Sequence, residues 1–251
     1  MADAKISALT NNTTPAYGDM IPLVNVDGAD ETQRTSLGEL QDWIYVDDAW
    51  AYDSANTITV PSGAADIYSV GDKILFSQTT SKYFYIVGVA DTVLTVTGGS
   101  DYTVANAAIS LIRHSKVASP TYFPHYFAYV PTGISATNVG IAGRFSITGK
   151  TCKVNLIAVF TGAITFTTMP SLPLTASANH RFTVAACSPS GVAGYEDNDG
   201  ASVVGSIFPS VIASATTVSI KRAADGVDMS ATVPITWANL DRLNCSFDYE
   251  I

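Results

Sequence analysis

Leu243-Asn244-Cys245-Ser246-Phe247-Asp248-Tyr249-Glu250 decides the fold class. Apolar and polar residues alternate at every step. Leu243, Cys245, Phe247 and Tyr249 fall on one face, and Asn244, Ser246, Asp248 and Glu250 on the other. Successive side chains of a strand point to opposite faces, so this pattern marks a half-buried antiparallel strand. Cys152–Phe160 repeats it, with Cys152, Val154, Leu156, Ala158 and Phe160 on one side. The cysteines at these positions read as small buried hydrophobes.

Outward from these strands, short runs rich in Val, Ile, Thr, Tyr and Phe lie between clusters of Gly, Asp, Asn, Ser and Pro. That is the signature of an all-β chain. Three units are expected: residues 1–46, 47–118 and 119–251. The last holds roughly eight candidate strands, the number of a jelly-roll-like β-sandwich. The middle unit carries Thr57–Pro61, Lys73–Ser77, Lys82–Val87 and Thr92–Thr97 as strands, enough for a small β-barrel-like domain. The first unit reads as an extended N-terminal anchor. Its two apolar patches are too small for a core of their own. Ser36–Ile44 is the one expected helix, capped by Ser36 and Glu39, with Leu37, Leu40 and Ile44 on one face.

Charge narrows the function. Only 14% of residues are charged, with a formal net charge of −9. The usual share is about 25%. Sequence-independent nucleic-acid binding needs phosphate-neutralising Lys and Arg, so no nucleic-acid partner is expected. No apolar run reaches the ~18 residues of a transmembrane helix, and Met1–Ser7 lacks the charged-then-apolar pattern of a signal peptide. Cys152, Cys187 and Cys245 are too widely spaced for a C-x-x-C zinc site.

Motifs of catalysis are missing. There is no G-x-S-x-G, P-loop or dinucleotide fingerprint. His114, His125 and His180 have no neighbouring ligand or triad partner in sequence and read as residues with satisfied hydrogen bonds. Gly140 and Gly143 read as a bulge or bend. No catalytic residue, metal or cofactor is therefore expected. Tyr195 with Glu196, Asp197 and Asp199 is the one site-like run, a loop tip that could touch a ligand and that gathers part of the net negative charge. The clusters Tyr83–Tyr85 and Tyr122–Phe127 read first as core or interface and second as platforms for sugar rings. Trp50 and Trp237 read as core anchors.

Two stretches carry a family resemblance. The opening, Lys5-Ile6-Ser7-Ala8-Leu9 with Gly18-Asp19-Met20-Ile21-Pro22-Leu23-Val24 and Ser36-Leu37-Gly38-Glu39-Leu40, resembles a leader of tailed-bacteriophage structural proteins. Trp50-Ala51-Tyr52, Tyr68–Ile74, Lys82–Val87 and Gly98–Ile109 are similar to a small β-domain of phage tail, fibre and head-appendage proteins. The resemblance implies a virion protein, a homotrimeric fibre, spike or decoration, without catalytic residues. It implies attachment to other virion proteins through Ile6, Leu9, Ile21, Leu23, Leu37 and Leu40. Host-surface adhesion by the C-terminal sandwich belongs to the same expectation. The alternative is a carbohydrate-binding, receptor-binding protein of the tail that recognises a host cell-surface glycan.

Overall fold

The computed structural model describes residues 20–24, 32–36, 42–134, 139–162, 164, 169–180, 191–198 and 203–251. In chain order they form β1 (Met20–Val24), β2 (Thr32–Ser36), β3 (Ile44–Tyr45), β4 (Ala51–Ser54), β5 (Thr57–Thr59), α1 (Ala64–Ile67), β6 (Lys73–Ser77), β7 (Ser81–Ala90), β8 (Val93–Thr97) and β9 (Ser110–Ser115). There follow β10 (Phe127–Tyr129), β11 (Val139–Thr148), β12 (Thr151–Thr161), β13 (Gly191–Asp197), β14 (Val203–Ser210), β15 (Ser219–Arg222) and β16 (Asn239–Glu250). The fold is all-β, as the alternating strands predict.

The larger sheet has the order β10-β11-β12-β16-β13-β14-β15. The last strand of the chain is thus its centre, between β12 and β13. Register explains the alternation: Cys152 pairs with Tyr249, Val154 with Phe247, Leu156 with Cys245 and Ala158 with Leu243. All eight side chains lie on the core face and are buried. The rest of the concave face is closed by loops. Trp237 packs on Phe160 at 4.5 Å with the rings tilted by 45°, and donates from Nε1 to the Ser230 carbonyl at 3.0 Å. The Tyr249 hydroxyl donates to the Leu174 carbonyl at 2.9 Å and accepts from the Leu174 N–H at 3.2 Å. The seven strands form one hydrogen-bonded sheet curled over this core, and the described pairings do not divide into the two four-stranded sheets of a jelly roll.

The smaller sheet has the order β3-β9-β6-β7-β8-β5-β4. It is open, with β3 and β4 at its edges, so the barrel-like unit does not close. Its inner core holds Trp50, Ile58, Ile74, Phe76, Phe84, Ile86 and Leu94. β3 hydrogen-bonds to β9, so this unit begins a few residues before the expected position 47. The expected helix is corrected at both ends: Ser36 closes β2 and Ile44 opens β3. Leu37 and Leu40 lie outside the described residues. Gly140 and Gly143 are also corrected, because β11 and β12 pair without a register shift. A Cβ on Gly143 would stand 2.1 Å from the Tyr129 ring, so that glycine makes room for the ring.

Both faces of β6 are covered. Ile74 and Phe76 enter the inner core, while Lys73 and Leu75 face the larger sheet. The two sheets meet in an aromatic seam. Tyr85 meets Phe123 at 4.9 Å and Phe127 at 5.4 Å, both edge to face. Tyr102 meets Phe127 at 6.0 Å. Edge-to-face pairs add to simple area burial because the ring edge is positive and the face negative. Polar links flank the seam: Trp43 Nε1 donates to the Thr121 carbonyl at 2.8 Å, and Ala128 N–H donates to Asp101 at 2.8 Å. Lys73 is 2% exposed, with its ammonium 5.8 Å above the Tyr85 ring. Burial pushes its pKa down, and neighbouring Asp72 opposes that shift.

Two measurements test this account. Phe127→Ala opens a cavity where both cores meet and should cost about 3–5 kcal/mol in reversible denaturation. A loss under about 1 kcal/mol would show that the seam does not hold the sheets. Burial pushes the Cys152 and Cys245 thiols from 9.0 to about 12. Their pKa is higher folded than unfolded, so their contribution is complete below pH 9.0 and falls as pH rises from 9.0 towards 12. The melting temperature should decline across that window, and Cys152→Ala/Cys245→Ala should flatten part of the decline.

Candidate functional site

The acidic run does not form one site. β13 pairs with β16 so that Tyr195 lies opposite Leu243, on the core side, and Glu196 lies opposite Arg242, on the outer side. The Tyr195 ring meets Trp237 edge to face at 6.0 Å. Glu196 faces the Arg242 guanidinium at 3.6 Å. Asp197 ends the strand, and Asp199 lies outside the described residues. Strand alternation therefore splits Tyr195 from Glu196, and both belong to β13 together with Asp197. Among the described residues no group of three His, Cys, Asp or Glu side chains could hold a metal ion.

Ile21 and Leu23 lie in β1, which pairs with β2 alone, from Met20 opposite Ser36 to Val24 opposite Thr32. Ile6, Leu9, Leu37 and Leu40 lie outside the described residues.

The histidines separate by environment. His114 is buried, with Nε2 2.9 Å from the Asp72 carboxylate and its ring edge-on to Tyr68. Asp72 also accepts from the Ser69 N–H at 2.9 Å. The pair thus ties β9 to the turn before β6. His180 is buried and accepts at Nδ1 from the Glu250 N–H at 3.3 Å. His125 is exposed.

Among the described residues, three hollows offer places for a partner. The first lies beside the seam, about 250 Å³, lined by Tyr85, Ala118, Ser119, Phe123, Pro124, His125, Tyr126, Ser146, Ile147, Thr148 and Lys153. Its origin is a mismatch of strand length. β11 has ten residues and β10 only three, with Phe127 opposite Phe145. Past that pair the chain of residues 118–126 leaves the strand ladder, and Ser146–Thr148 have no paired strand on that side among the described residues. The Tyr85 hydroxyl reaches into the gap and hydrogen-bonds the backbone of Ile147. Burial raises the Tyr85 pKa despite that bond.

The second hollow, about 480 Å³, lies at the β3 edge, where exposed Ile44, Tyr45 and Ile67 are ringed by Asp47, Asp48 and Asp66. The third, about 490 Å³, is a groove on the outer face of the larger sheet. Ile157 and Val192 are its exposed apolar members, with Asn155, Asn244 and Ser246 beside them.

No family model matches the chain, and no curated protein or solved structure is significantly similar to it. No helix among the described residues is long and apolar enough to cross a membrane.

The aromatic clusters divide between the two expectations. Tyr83, Phe84, Tyr85, Phe123 and Phe127 are spent on packing. Tyr122 and Tyr126 are 67% and 40% exposed. Composition alone could not sort them. Residues 122–127 do not alternate as a regular strand, so the parity that sorted β16 had nothing to act on.

Tyr195→Ala should lower stability by about 1–3 kcal/mol through lost packing on Trp237. A normal melting curve with a selective loss of ligand binding would restore Tyr195 as a contact residue.

Proposed function

We propose that the chain is a structural protein of a tailed-phage virion, an appendage of fibre, spike or decoration type. It attaches through its N-terminal segment to other virion proteins and assembles as a homotrimer. The observation that carries this reading is the antiparallel pair β1–β2, which among the described residues hydrogen-bonds into neither large sheet. An isolated two-stranded hairpin is marginal in water. A segment of this kind gains stability by docking, which suits an anchor placed before a body with its own cores. The resemblance of the leader to phage structural proteins points the same way.

The outer face of the larger sheet supports assembly. Across its centre, Ala142, Ile157, Asn244 and Gly194 stand in register, with no charge among them. An apolar, charge-poor patch on a sheet face is a feature of interaction surfaces.

A second reading, a glycan-binding receptor protein, is favoured by the hollow beside the seam, which gathers exposed hydroxyls, an exposed ring and the Lys153 ammonium. The two readings share the anchor and differ in the task of the distal body.

Deleting residues 1–40 should leave a folded body, because Trp43 is the first residue of the described core. That body should no longer join particles, while the full chain does. Light scattering of the full chain at micromolar concentration should give three times the 26.4 kDa chain mass. A monomer, or normal incorporation of the truncated chain, would sink the reading.

A further inference from the structure

We propose that the hollow beside the seam is a binding site for an anionic sugar residue, one bearing a carboxylate or a phosphate. This deepens the glycan-binding reading and rests on it. Anchoring through the N-terminus is independent of it.

Charge gives the first argument. The protein carries 13 Lys and Arg against 22 Asp and Glu. Yet the lining of this hollow has Lys153 and His125 and no carboxylate. In a chain of net charge −9, a hollow that carries the Lys153 ammonium and no carboxylate in its lining favours an anion there. Lys153 is exposed on the outer face of β12, and among the described residues no ion pair holds its ammonium. Its register neighbour is Asp248 on β16, the nearest competitor for that ammonium.

Shape and polarity give the second. At about 250 Å³ the hollow lies just below the range of small-molecule sites, which starts near 300 Å³. Ser119, Ser146 and Thr148 supply hydroxyls that can both donate and accept, as vicinal sugar hydroxyls require. Tyr126, 40% exposed, offers a ring beside them for the apolar face of a sugar.

Rigidity gives the third. The floor is Tyr85, held by Phe123, Phe127 and the backbone of Ile147. Opposite walls come from the 118–126 stretch and from β11 and β12. A site with a locked floor loses little freedom on binding. The Lys153 ammonium would pair with the anionic group, and the hydroxyls would fix the ring.

The test uses the full chain at roughly 50 mM salt, where charge pairing is least screened. D-glucuronate, D-glucose 6-phosphate and D-glucose are titrated in turn, followed by saturation-transfer NMR and calorimetry. At least one anionic sugar should bind with a Kd of roughly millimolar order, as a single weak site gives. Glucose should bind at least about tenfold more weakly. Lys153→Gln should weaken the anionic sugar by about tenfold with an unchanged melting temperature. Asp248→Asn should strengthen it, because a competing carboxylate is removed.

Binding of glucuronate alone assigns a carboxylated sugar, of glucose 6-phosphate alone a phosphorylated one, and of both a site set by charge. The proposal is overturned if neither anionic sugar binds below about 20 mM, if glucose binds as tightly, or if Lys153→Gln leaves the affinity unchanged. Particle incorporation of Lys153→Gln is measured in parallel. Lys153→Gln should incorporate normally; normal incorporation of the unsubstituted chain with no binding of either anionic sugar would sink this site and leave the anchor reading standing.

Discussion

The edge-to-face contact of Tyr85 with Phe127, 5.4 Å between ring centres, is the constraint on which the rest of the body depends. Tyr85 belongs to β7 of the smaller sheet and Phe127 to β10 of the larger. The contact aligns β6 and β7 over the start of β10. Leu75 and Trp43 then join the larger core. Neighbouring backbone must come close for this to happen. At Gly71, with φ +94°, a Cβ would stand 1.9 Å from the carbonyl oxygen of Gly149. Ser100 N–H meets the Ala128 carbonyl at 2.7 Å. A seam of rings, a residue without a side chain and short polar links leaves the two sheets little freedom to move as separate beads. The hollow beside Tyr85 follows from the same geometry, since it is the space left where the short β10 ends on the long β11.

How much of this the sequence discloses depends on where each residue's partner lies. β12 and β16 are legible because strict alternation is a local property, and burial follows the letters one by one. β6 shows the limit. Lys73, Ile74, Leu75 and Phe76 are all buried, although only the last three are apolar. Lys73 is buried by the second sheet, which no local pattern announces. Trp43 falls inside the segment read as an N-terminal anchor, yet it is buried in the larger core and bonded to Thr121 beside the seam. Tyr195 and Glu196 are neighbours in sequence and opposites in space, so a cluster read along the chain becomes two unrelated contacts. The hollow is not legible at all. Its lining comes from four separated stretches, and it exists because two paired strands differ in length.

The low charge also takes on structure. Several acids serve as clamps on backbone rather than as surface cover. Asp241 is fully buried and accepts from the Asn198 and Ala238 N–H groups at 2.8 and 2.7 Å. Asp91 accepts from the Gly63 N–H at 2.8 Å and from the Ser62 hydroxyl, which hold its carboxyl below the ordinary range. Asp101 clamps Ala128 across the seam. Among the cations, Lys73, Arg113 and Lys221 are buried. Lys221 donates to the Asp228 carboxylate at 2.7 Å. The buried ones, Asp241, Lys73, Arg113 and Lys221, add little to the charge that keeps the molecule apart from its neighbours in solution.

What remains outside is uneven, and that unevenness carries the argument about partners. The centre of the larger sheet's outer face has neither charge nor bulk at Ala142 and Gly194, so another surface can approach its backbone closely. Towards one end of the same face, Lys153 and Asp248 stand side by side. A subunit laid flat over the centre would leave that end at its rim, where water screens charges and they set orientation more than affinity. The hollow opens at that end, beside Lys153. Assembly through the centre of the sheet and recognition at its rim are therefore compatible on one face. The same short register, two residues from Asn155 to Lys153, separates the surface suited to another copy from the surface suited to an anion.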